Sequence, residues 1–294
     1  MPLIDIVRQF GVEPRRIRLI RKRLNTHWSV TTADARYVLR RYGWYAGRAS
    51  VLWEHEALRV AAQSGLPVAV PLGDPLEAGG ALYDLFPFLP GRPRKTNGDA
   101  DYWNDGRLAA ELYEKLRDAR LPQRPGRIAA ADAASGPSAD AAQRARLLEP
   151  VRATDPALAD ILEEEAERVV AELVRLGARD FPRGLIHGDL ITGNLLYSGA
   201  VLTGLIDFEA SRIDARAAEV AQTRRGYHDP VVDGYNSLVP LSAEEIAALP
   251  ALWKADILHG AWSYLAHFGE RWQRQEFVWT EEQFRKTVPY KKQS

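Results

Sequence analysis

The sequence has 294 residues, 46% of them apolar, and its 39 lysines and arginines equal its 39 aspartates and glutamates. A chain of this kind can bury a sizeable core, and its zero net charge provides no bulk attraction to nucleic acid or an anionic membrane. The absence of cysteine excludes disulfides, thiolate metal sites and cysteine nucleophiles. Because no signal peptide or bilayer-spanning apolar run is visible, we expect a cytoplasmic protein, and we leave its oligomeric state open.

The first 87 residues are expected to form a small antiparallel sheet with one or two helices. Apolar residues at helical spacing predict a short helix before Gly11. Segments rich in β-branched residues are interrupted at Asn25-Thr26 and again at 32–35, which predicts a three-stranded meander ending at Tyr42. The pattern further predicts a helix and two strands, over Ser50–Gln63, Val68–Leu72 and Ala81–Phe86.

A connector rich in proline follows, and helical patterns dominate beyond it. We interpret Leu121–Asp140 as a mobile loop because it is rich in Ala, Gly, Pro and Ser. The sequence thus predicts an α+β, two-lobed chain: a small β-sheet lobe at 1–87, a hinge at 88–92 and a larger, mainly helical lobe at 93–294. The predicted helices of the second lobe are Gly106–Arg120, Ala157–Leu176, Ser242–Leu249, which Pro250 is expected to close, and Leu252–Glu270.

The segment from His187 to Glu209 carries the pattern most indicative of chemistry. His187-Gly-Asp189 is followed five residues later by Asn194, and Asp207 comes thirteen residues after that. Two short apolar stretches around Ser198-Gly199 predict a hairpin. Its open end would bring Asn194 and Asp207 together, with Asp189 in the loop just before.

These residue types suit phosphoryl transfer from ATP. Magnesium neutralises ATP phosphates through hard oxygen ligands, and the carboxylate of Asp207 with the amide oxygen of Asn194 could supply two of them. Asp189 would orient the acceptor hydroxyl and accept its proton. The competing interpretation is a buried loop in which the two aspartates cap turns and Asn194 bonds to the backbone.

The segment resembles the aminoglycoside phosphotransferase and choline kinase superfamily, whose catalytic loop reads His-Gly-Asp, four residues, Asn, and whose metal motif reads Ile-Asp-Phe/Trp-Glu. Within it the chain looks closest to homoserine kinase type II-like or choline kinase-like members. The resemblance implies a bilobal protein-kinase-like fold, ATP and Mg²⁺ as cofactors, Asp189 as catalytic base, and Asn194 and Asp207 as magnesium ligands. It implies a structural role for His187.

Looser matches lie in the first lobe. Asn25–Val30 resembles the phosphate-covering turn of the superfamily, although the chain has no Gly-x-Gly-x-x-Gly loop. Arg40 falls where the superfamily usually has a phosphate-binding lysine, and Glu56 resembles its helix partner; the alternative for Arg40 is a solvated strand charge. Leu89–Arg92 resembles the hinge.

The connector residues suggest how adenine is held. Adenine is commonly bound by one backbone carbonyl and one backbone amide, and Pro87 has no N–H to offer. We therefore expect the Phe86 carbonyl and the Phe88 amide to be this pair.

The acceptor is left open among amino alcohols, hydroxy amino acids, sugars and aminoglycosides. Acids and aromatics would suit a cationic molecule. Two alternatives to small-molecule phosphorylation are a non-catalytic nucleotide-binding module and transfer of AMP to a protein on the same fold. The candidates for acceptor contact are Glu209, Asp256, His259 and Trp262, followed by Asp214, Glu219, Tyr227, His228, Asp229, Asp233 and Tyr264.

Overall fold

The structure, a computed structural model, describes residues 1–94 and 98–292. The chain divides into two compact units, each described below by itself. The first comprises Met1–Arg94 and Gly193–Glu209, and the second comprises Lys95–Thr192 and Ala210–Ser294. The lobe boundaries at residues 87 and 93 remain predictions. The sequence did not predict that Gly193–Glu209 would belong to the first unit.

Helices and strands are numbered in chain order. The strands are β1 (Arg16–Lys22), β2 (Thr26–Thr31), β3 (Arg36–Arg41), β4 (Leu76–Ala78), β5 (Ala81–Pro87), β6 (Arg183–Ile186), β7 (Leu195–Ser198), β8 (Val201–Leu205) and β9 (Arg212–Ala215). The helices are α1 (Leu3–Gln9), α2 (Arg48–Gln63), α3 (Asp99–Leu116), α4 (Ala141–Arg152), α5 (Pro156–Arg175), α6 (Arg216–Arg224), α7 (Pro230–Asn236), α8 (Ala243–Phe268) and α9 (Val278–Lys286). This composition confirms the predicted α+β class.

An antiparallel sheet in the order β1-β2-β3-β5-β4 forms the body of the first unit. The predicted meander is confirmed as β1 to β3. Ile6 and Val7 of α1 pack with Val30, Leu39 and Leu85 of the sheet in a fully buried cluster. These residues place one face of the sheet on a core.

The predicted strand over 68–72 is wrong. Leu72 makes a single backbone bond to Leu85, at 2.8 Å, and this described stretch is otherwise irregular. Pro67 and Pro71 bracket it, and proline cannot donate to a strand ladder. The edge of the sheet is instead formed by β4, which the sequence did not signal.

The hairpin of β7 and β8 is confirmed, with Gly199 at its turn in the left-handed region at φ 62°. It is attached to the rest of the first unit by backbone bonds. Leu205 N donates to the Pro67 carbonyl at 2.8 Å, and Arg92 N donates to the Tyr197 carbonyl at 3.0 Å. These bonds fix the segment that carries Asn194 and Asp207.

The second unit is mainly helical, with β6 and β9 paired antiparallel. The two helices predicted on either side of Pro250 are one helix, α8. Ser242 and Glu245 form the predicted capping box at its start. Buried residues continue on both sides of Pro250, so packing offsets the backbone bond, worth about 3 kcal/mol, that an interior proline removes.

Residues 121–140 are irregular but packed, which corrects the prediction of a mobile loop. A 3₁₀ turn spans Ala130–Ser135, and Ala131 and Ala133 are buried. The backbone N–H of Ala130 donates to Asp214 at 2.7 Å. A segment rich in alanine has the composition of a linker, but here the small side chains allow close packing. Helix α4 follows directly and was not predicted.

Within the described residues, no helix combines the length and the apolarity that crossing a membrane requires.

The contact between α3 and α7 depends on glycine. A Cβ on Gly106 would collide with the Val231 carbonyl, whereas a Cβ on Gly260, on the exposed side of α8, would meet nothing within 4 Å. We expect Gly106→Ala to lower the free energy of unfolding by about 2–3 kcal/mol through overpacking. Gly260→Ala should raise it by about 0.5–1 kcal/mol because alanine loses less backbone entropy in a helix.

Urea unfolding of both variants beside the parent protein measures the difference. Equal effects of the two substitutions would show that the helices can separate to accept the methyl group.

Candidate functional site

The open end of the β7–β8 hairpin carries Asn194 and Asp207. Ile206 N donates to the Asn194 carbonyl at 3.0 Å, which closes the hairpin at this end. Asp207 has φ 70°, a conformation that costs a non-glycine residue about 1–3 kcal/mol and that clusters at functional sites. Both residues line one cavity of the first unit.

The donor set of this hairpin end fits magnesium. One carboxylate and one amide oxygen are hard oxygen ligands, which suit an ion that keeps water and substrate phosphates as its other ligands. Throughout residues 1–94 and 98–292, no group of three or more His, Cys, Asp or Glu is placed to hold a metal.

Arg40 lies beside these residues and is 4% exposed, so it is not a solvated strand charge. Its Nη1 donates to Glu54 Oε1 at 2.9 Å, and its Nη2 donates to Glu209 Oε2 at 2.6 Å and lies 3.6 Å from Asp207 Oδ1. Burial alone would lower the pKa of Arg40, but Glu54 and the neighbouring groups raise it well above its ordinary value. The guanidinium is therefore permanently charged.

The partner of Arg40 on α2 is Glu54, which corrects the prediction of Glu56. Glu56 is exposed and pairs with Arg59 on its own helix. Glu54 is buried on α2, whereas Glu56 lies about 200° further round the helix and faces solvent. The resemblance therefore identified the correct helix, but it assigned the partner of Arg40 to a residue two positions after Glu54.

A buried polar cluster packs against Arg40, and it was not predicted from the sequence. The guanidinium lies over the Tyr42 ring, 4.4 Å from the centroid. Tyr42 Oη donates to Asp84 at 2.6 Å, and His55 Nε2 lies 2.7 Å from the same carboxylate oxygen. Alternation along β3 and β5 was the available signal, since it places Arg40 and Tyr42 on one face and Asp84 opposite Arg40.

The cavity has a volume of about 320 Å³, within the usual range for a ligand site. Its apolar part is formed by side chains of the sheet, α2 and the hairpin. Its charged and polar lining residues are Arg21, His27, Arg40, Glu54, Asn194 and Asp207. An apolar pocket that also contains a few charged groups suits a flat base linked to phosphates. The apolar lining includes Val38, Leu58, Ala69, Leu196, Leu205 and Phe208.

The connector backbone corrects the predicted adenine pair. Phe88 N donates to the Arg36 carbonyl at 3.0 Å and is engaged in the sheet. Hydrogen-bonded pairs alternate along antiparallel strands, so Phe86 also faces β3. By the same alternation, the Pro87 carbonyl points away from β3.

Glu209 is held by the first unit. In addition to Arg40, it accepts hydrogen bonds from Asn25 Nδ2 and from Tyr45 Oη, the latter at 2.6 Å. Asn25 Oδ1 in turn accepts from Gly43 N at 3.0 Å. The contacts of Glu209 thus anchor the turn between β1 and β2, a role that differs from the predicted contact with an acceptor.

In the second unit, the loop after β6 carries His187, Gly188 and Asp189. Glu219 on α6 accepts hydrogen bonds from the backbone N–H of His187 and from that of Gly188, the latter at 3.0 Å. Gly188 has φ 75°, and a Cβ there would lie 2.5 Å from the Ala210 carbonyl, so the position requires glycine. His187 is 2% exposed and its Nδ1 accepts from Asp189 N at 3.2 Å, in keeping with the structural role implied for it.

Asp189 itself faces a cation that sequence reasoning missed. Arg225 Nη2 lies 2.9 Å from Asp189 Oδ1, and both side chains are about one-third exposed. Arg225 directly follows α6, the helix that carries Glu219. Glu219 thus binds the backbone of the loop, and Arg225, at the end of the same helix, binds the aspartate that the loop carries.

The candidates on α8 make contacts within the second unit, and their contact with an acceptor stays a prediction. Asp256 contacts Arg127 at 2.9 Å and Arg212 at 3.2 Å. Burial alone would raise the pKa of Asp256, but these two guanidiniums hold it below its ordinary value. Trp262 Nε1 donates to a buried serine at 2.9 Å, and the cavity beside His259 measures about 20 Å³, room for about one water molecule.

Comparison with known proteins decides the family. The sequence profile of the phosphotransferase enzyme family (APH) matches residues 16–237. The chain belongs to this family. The phosphotransferase profile thus covers both the cavity residues of the first unit and the Asp189 loop of the second, and it confirms the superfamily predicted from the motifs.

Individual relatives of this phosphotransferase agree in fold and class. A homoserine kinase of Methylobacterium radiotolerans is 29% identical over 262 residues, covering 80% of this chain and 74% of that protein. A microcompartment-associated aminopropanol kinase has a TM-score of 0.68 at 20% identity, with 96% and 94% of the two chains covered. A mutant aminoglycoside phosphotransferase, solved with ADP and hygromycin B, has a TM-score of 0.64 at 16% identity, with 96% and 95% covered. The predicted kinase-like fold and the predicted enzyme class, a small-molecule kinase with a hydroxyl acceptor, are confirmed.

The Arg40–Glu54 pair leads to a test with a matched control. Glu54→Gln leaves a buried guanidinium short of one carboxylate and should lower the free energy of unfolding by about 3 kcal/mol. Glu56→Gln, two residues along the same helix, should change it by less than about 0.5 kcal/mol because its side chain is exposed. Chemical denaturation measures both. A larger effect at Glu56 would restore the pairing expected from the sequence.

Glu219 leads to a pH test. Burial raises its pKa to about 7 from the usual 4.5, against the lowering effect of the two loop N–H groups. Between these pH values the folded state binds the proton more tightly than the unfolded state, so the free energy of unfolding falls as pH rises through this window. The full fall is about 3 kcal/mol. Urea unfolding at pH 4.5 and pH 8 should show a smaller fall in Glu219→Gln, which has no proton to lose; identical slopes would rule out Glu219 as the source.

Proposed function

We propose that this protein transfers the γ-phosphate of ATP, bound with magnesium, to a hydroxyl of a small molecule, and that Asp189 is the base. The observation that carries the proposal is the first unit's cavity, which joins an apolar slot to Arg40, Asn194 and Asp207. An adenine base in the slot would direct its phosphates toward these three residues.

The first unit provides the groups that a nucleotide needs. The Pro87 carbonyl and the Leu89 N–H can accept from and donate to adenine. Among the described residues, the buried Nε of Arg40 has no hydrogen-bond partner, so it can donate to a phosphate oxygen without breaking an existing bond. Asn194 and Asp207 would hold the magnesium ion, which neutralises charge on the phosphates when bound.

Asp189 supplies the remaining function. In the proposed reaction it accepts the hydroxyl proton, the hydroxyl oxygen forms a bond to the γ-phosphorus, and the bond from that phosphorus to the β–γ bridging oxygen breaks to release ADP. Its loop is fixed by Gly188 and Glu219, so the carboxylate is held before any substrate arrives. Four residues separate it from Asn194, which keeps the base and the metal ligands within one short segment.

The names of the relatives cover three acceptor classes: a hydroxy amino acid, an amino alcohol and aminoglycosides. We propose an acceptor within this range, together with sugars. AMP transfer to a protein and nucleotide binding without turnover are the alternatives, and each gives a different product in the assay below.

Wild-type protein with ATP, magnesium and a panel of these acceptors should release ADP. Asp189→Asn should lower kcat by about 10³-fold because the amide cannot take the hydroxyl proton, while the Kd for ATP stays the same. A coupled ADP assay and calorimetric ATP titration measure the two quantities.

Asp160→Asn, an exposed acid of α5, serves as the control and should retain full activity. Full activity in Asp189→Asn would eliminate its role as base. Pyrophosphate release with a nucleotide mass gain on protein would favour AMP transfer, and ATP binding without any product would favour the non-catalytic module.

A further inference from the structure

The pairing of Asp189 with Arg225 has a consequence for the acceptor. Arg225 places a guanidinium directly beside the carboxylate at which the acceptor hydroxyl would arrive. A guanidinium has five N–H donors, and one on Nη2 of Arg225 donates to Asp189. The other donors of this partly exposed side chain can serve a ligand.

The backbone at Arg225 is unusual for such a residue. Arg225 caps the end of α6 with φ 50° and ψ 35°, the left-handed conformation for which glycine is strongly preferred. Its N–H bonds to the carbonyls of Ala221 and Gln222, both at 3.2 Å. The chain keeps a large side chain where glycine would be less strained, and the side chain it keeps is the one that reaches Asp189.

The neighbouring residues hold this position firmly. Arg224 is fully buried and donates to Asp229, to the Gly226 carbonyl at 3.0 Å and to the Val288 carbonyl at 2.9 Å. Val288 N donates back to the Gly226 carbonyl at 3.0 Å. The C-terminal segment therefore clamps the residues on both sides of Arg225, so its side chain projects from a rigid base.

Nearby acids on α7 and the residue before it are already engaged. Asp229 accepts from Arg224 at 2.6 Å, and Asp233 accepts from Tyr290 Oη at 2.5 Å. Burial and the adjacent Arg225 lower the pKa of His228, which keeps that ring neutral at neutral pH. Within the described residues, neither of these two acids pairs with Arg225, so they leave its remaining donors to a ligand.

We propose that Arg225 binds a carboxylate of the acceptor, so that the substrate is a hydroxy acid, with hydroxy amino acids included, and not a purely cationic amino alcohol or aminosugar. The inference rests on the proposed function, because it takes Asp189 as the group that receives the hydroxyl. A planar guanidinium matches a carboxylate in geometry as well as charge. A short molecule could then place its hydroxyl at Asp189 and its carboxylate at Arg225.

Homoserine and 3-aminopropan-1-ol form a matched pair of probes, since they differ by the carboxylate alone. Arg225→Gly removes the side chain at a backbone position that glycine favours, so folding is preserved, and Arg225→Lys keeps the charge without the fork. For homoserine, Arg225→Gly should lower kcat/KM by about ten- to a hundredfold, mainly through KM. Arg225→Lys should lose less. Because the contact with Asp189 is lost for both probes, the measure is the difference between them: kcat/KM for 3-aminopropan-1-ol should fall by about tenfold less than kcat/KM for homoserine in Arg225→Gly.

Arg175→Ala, an exposed arginine of α5, is the control and should match wild type with both probes. Equal losses for both probes would show that Arg225 only positions Asp189, which overturns the inference, as would a wild-type preference for 3-aminopropan-1-ol or for another acceptor without a carboxylate. If no acceptor is phosphorylated, the proposed function fails, and calorimetry then tests the inference separately. Homoserine binding that Arg225→Gly abolishes would support it; binding that is absent or unchanged would overturn it.

Discussion

The buried guanidinium of Arg40 is the interaction on which the first unit's cavity depends. It faces three carboxylates, those of Glu54, Asp207 and Glu209. Of the charged residues that line the cavity, Arg21 and Arg40 balance Glu54 and Asp207, so the lining has no net positive charge to offset that of phosphates, and a divalent cation would supply it. The same arginine holds α2, β3 and the hairpin end together beside the proposed magnesium site.

In the second unit, one helix, α6, holds the loop that carries Asp189. A loop that presents a carboxylate needs its own backbone satisfied, and α6 does this through Glu219, which accepts from two successive N–H groups. Arg225, at the end of the same helix, contacts the carboxylate that the loop presents. Because both contacts come from one rigid element, the orientation of the loop and the charge beside Asp189 are set together.

Much of this arrangement was predictable from local sequence, and the failures have physical causes. The hairpin, the meander and the capping box were found because turn residues and alternation act over a few positions. The choice of Glu54 over Glu56 depends on which side of α2 faces the sheet, which is a tertiary fact. Pro250 was expected to end a helix because propensity was weighed without the packing on either side.

Other misses concern groups whose roles depend on distant partners. The Phe88 amide donates to a carbonyl of β3, which the connector sequence alone cannot show, so the pair proposed to bind adenine is shifted by one residue. Asp256 was chosen for its chemistry and lies between two arginines that are far from it in sequence, Arg127 and Arg212. Arg225 carried no motif at all, and its contact with Asp189 appears only in three dimensions.

Gly193–Glu209 belongs to the first unit, although Lys95–Thr192 of the second unit separates it from residues 1–94 in the sequence. This order affects folding during synthesis. A chain leaving the ribosome exposes residues 1–94 long before the hairpin that completes their cavity, so the first unit stays incomplete while the intervening stretch is synthesised. During that interval Arg40 has Glu54 as a partner, and its other two carboxylates are not yet translated. The first unit can therefore be completed only after the Asp189 loop has emerged, and the ATP binding proposed above is delayed to the same point.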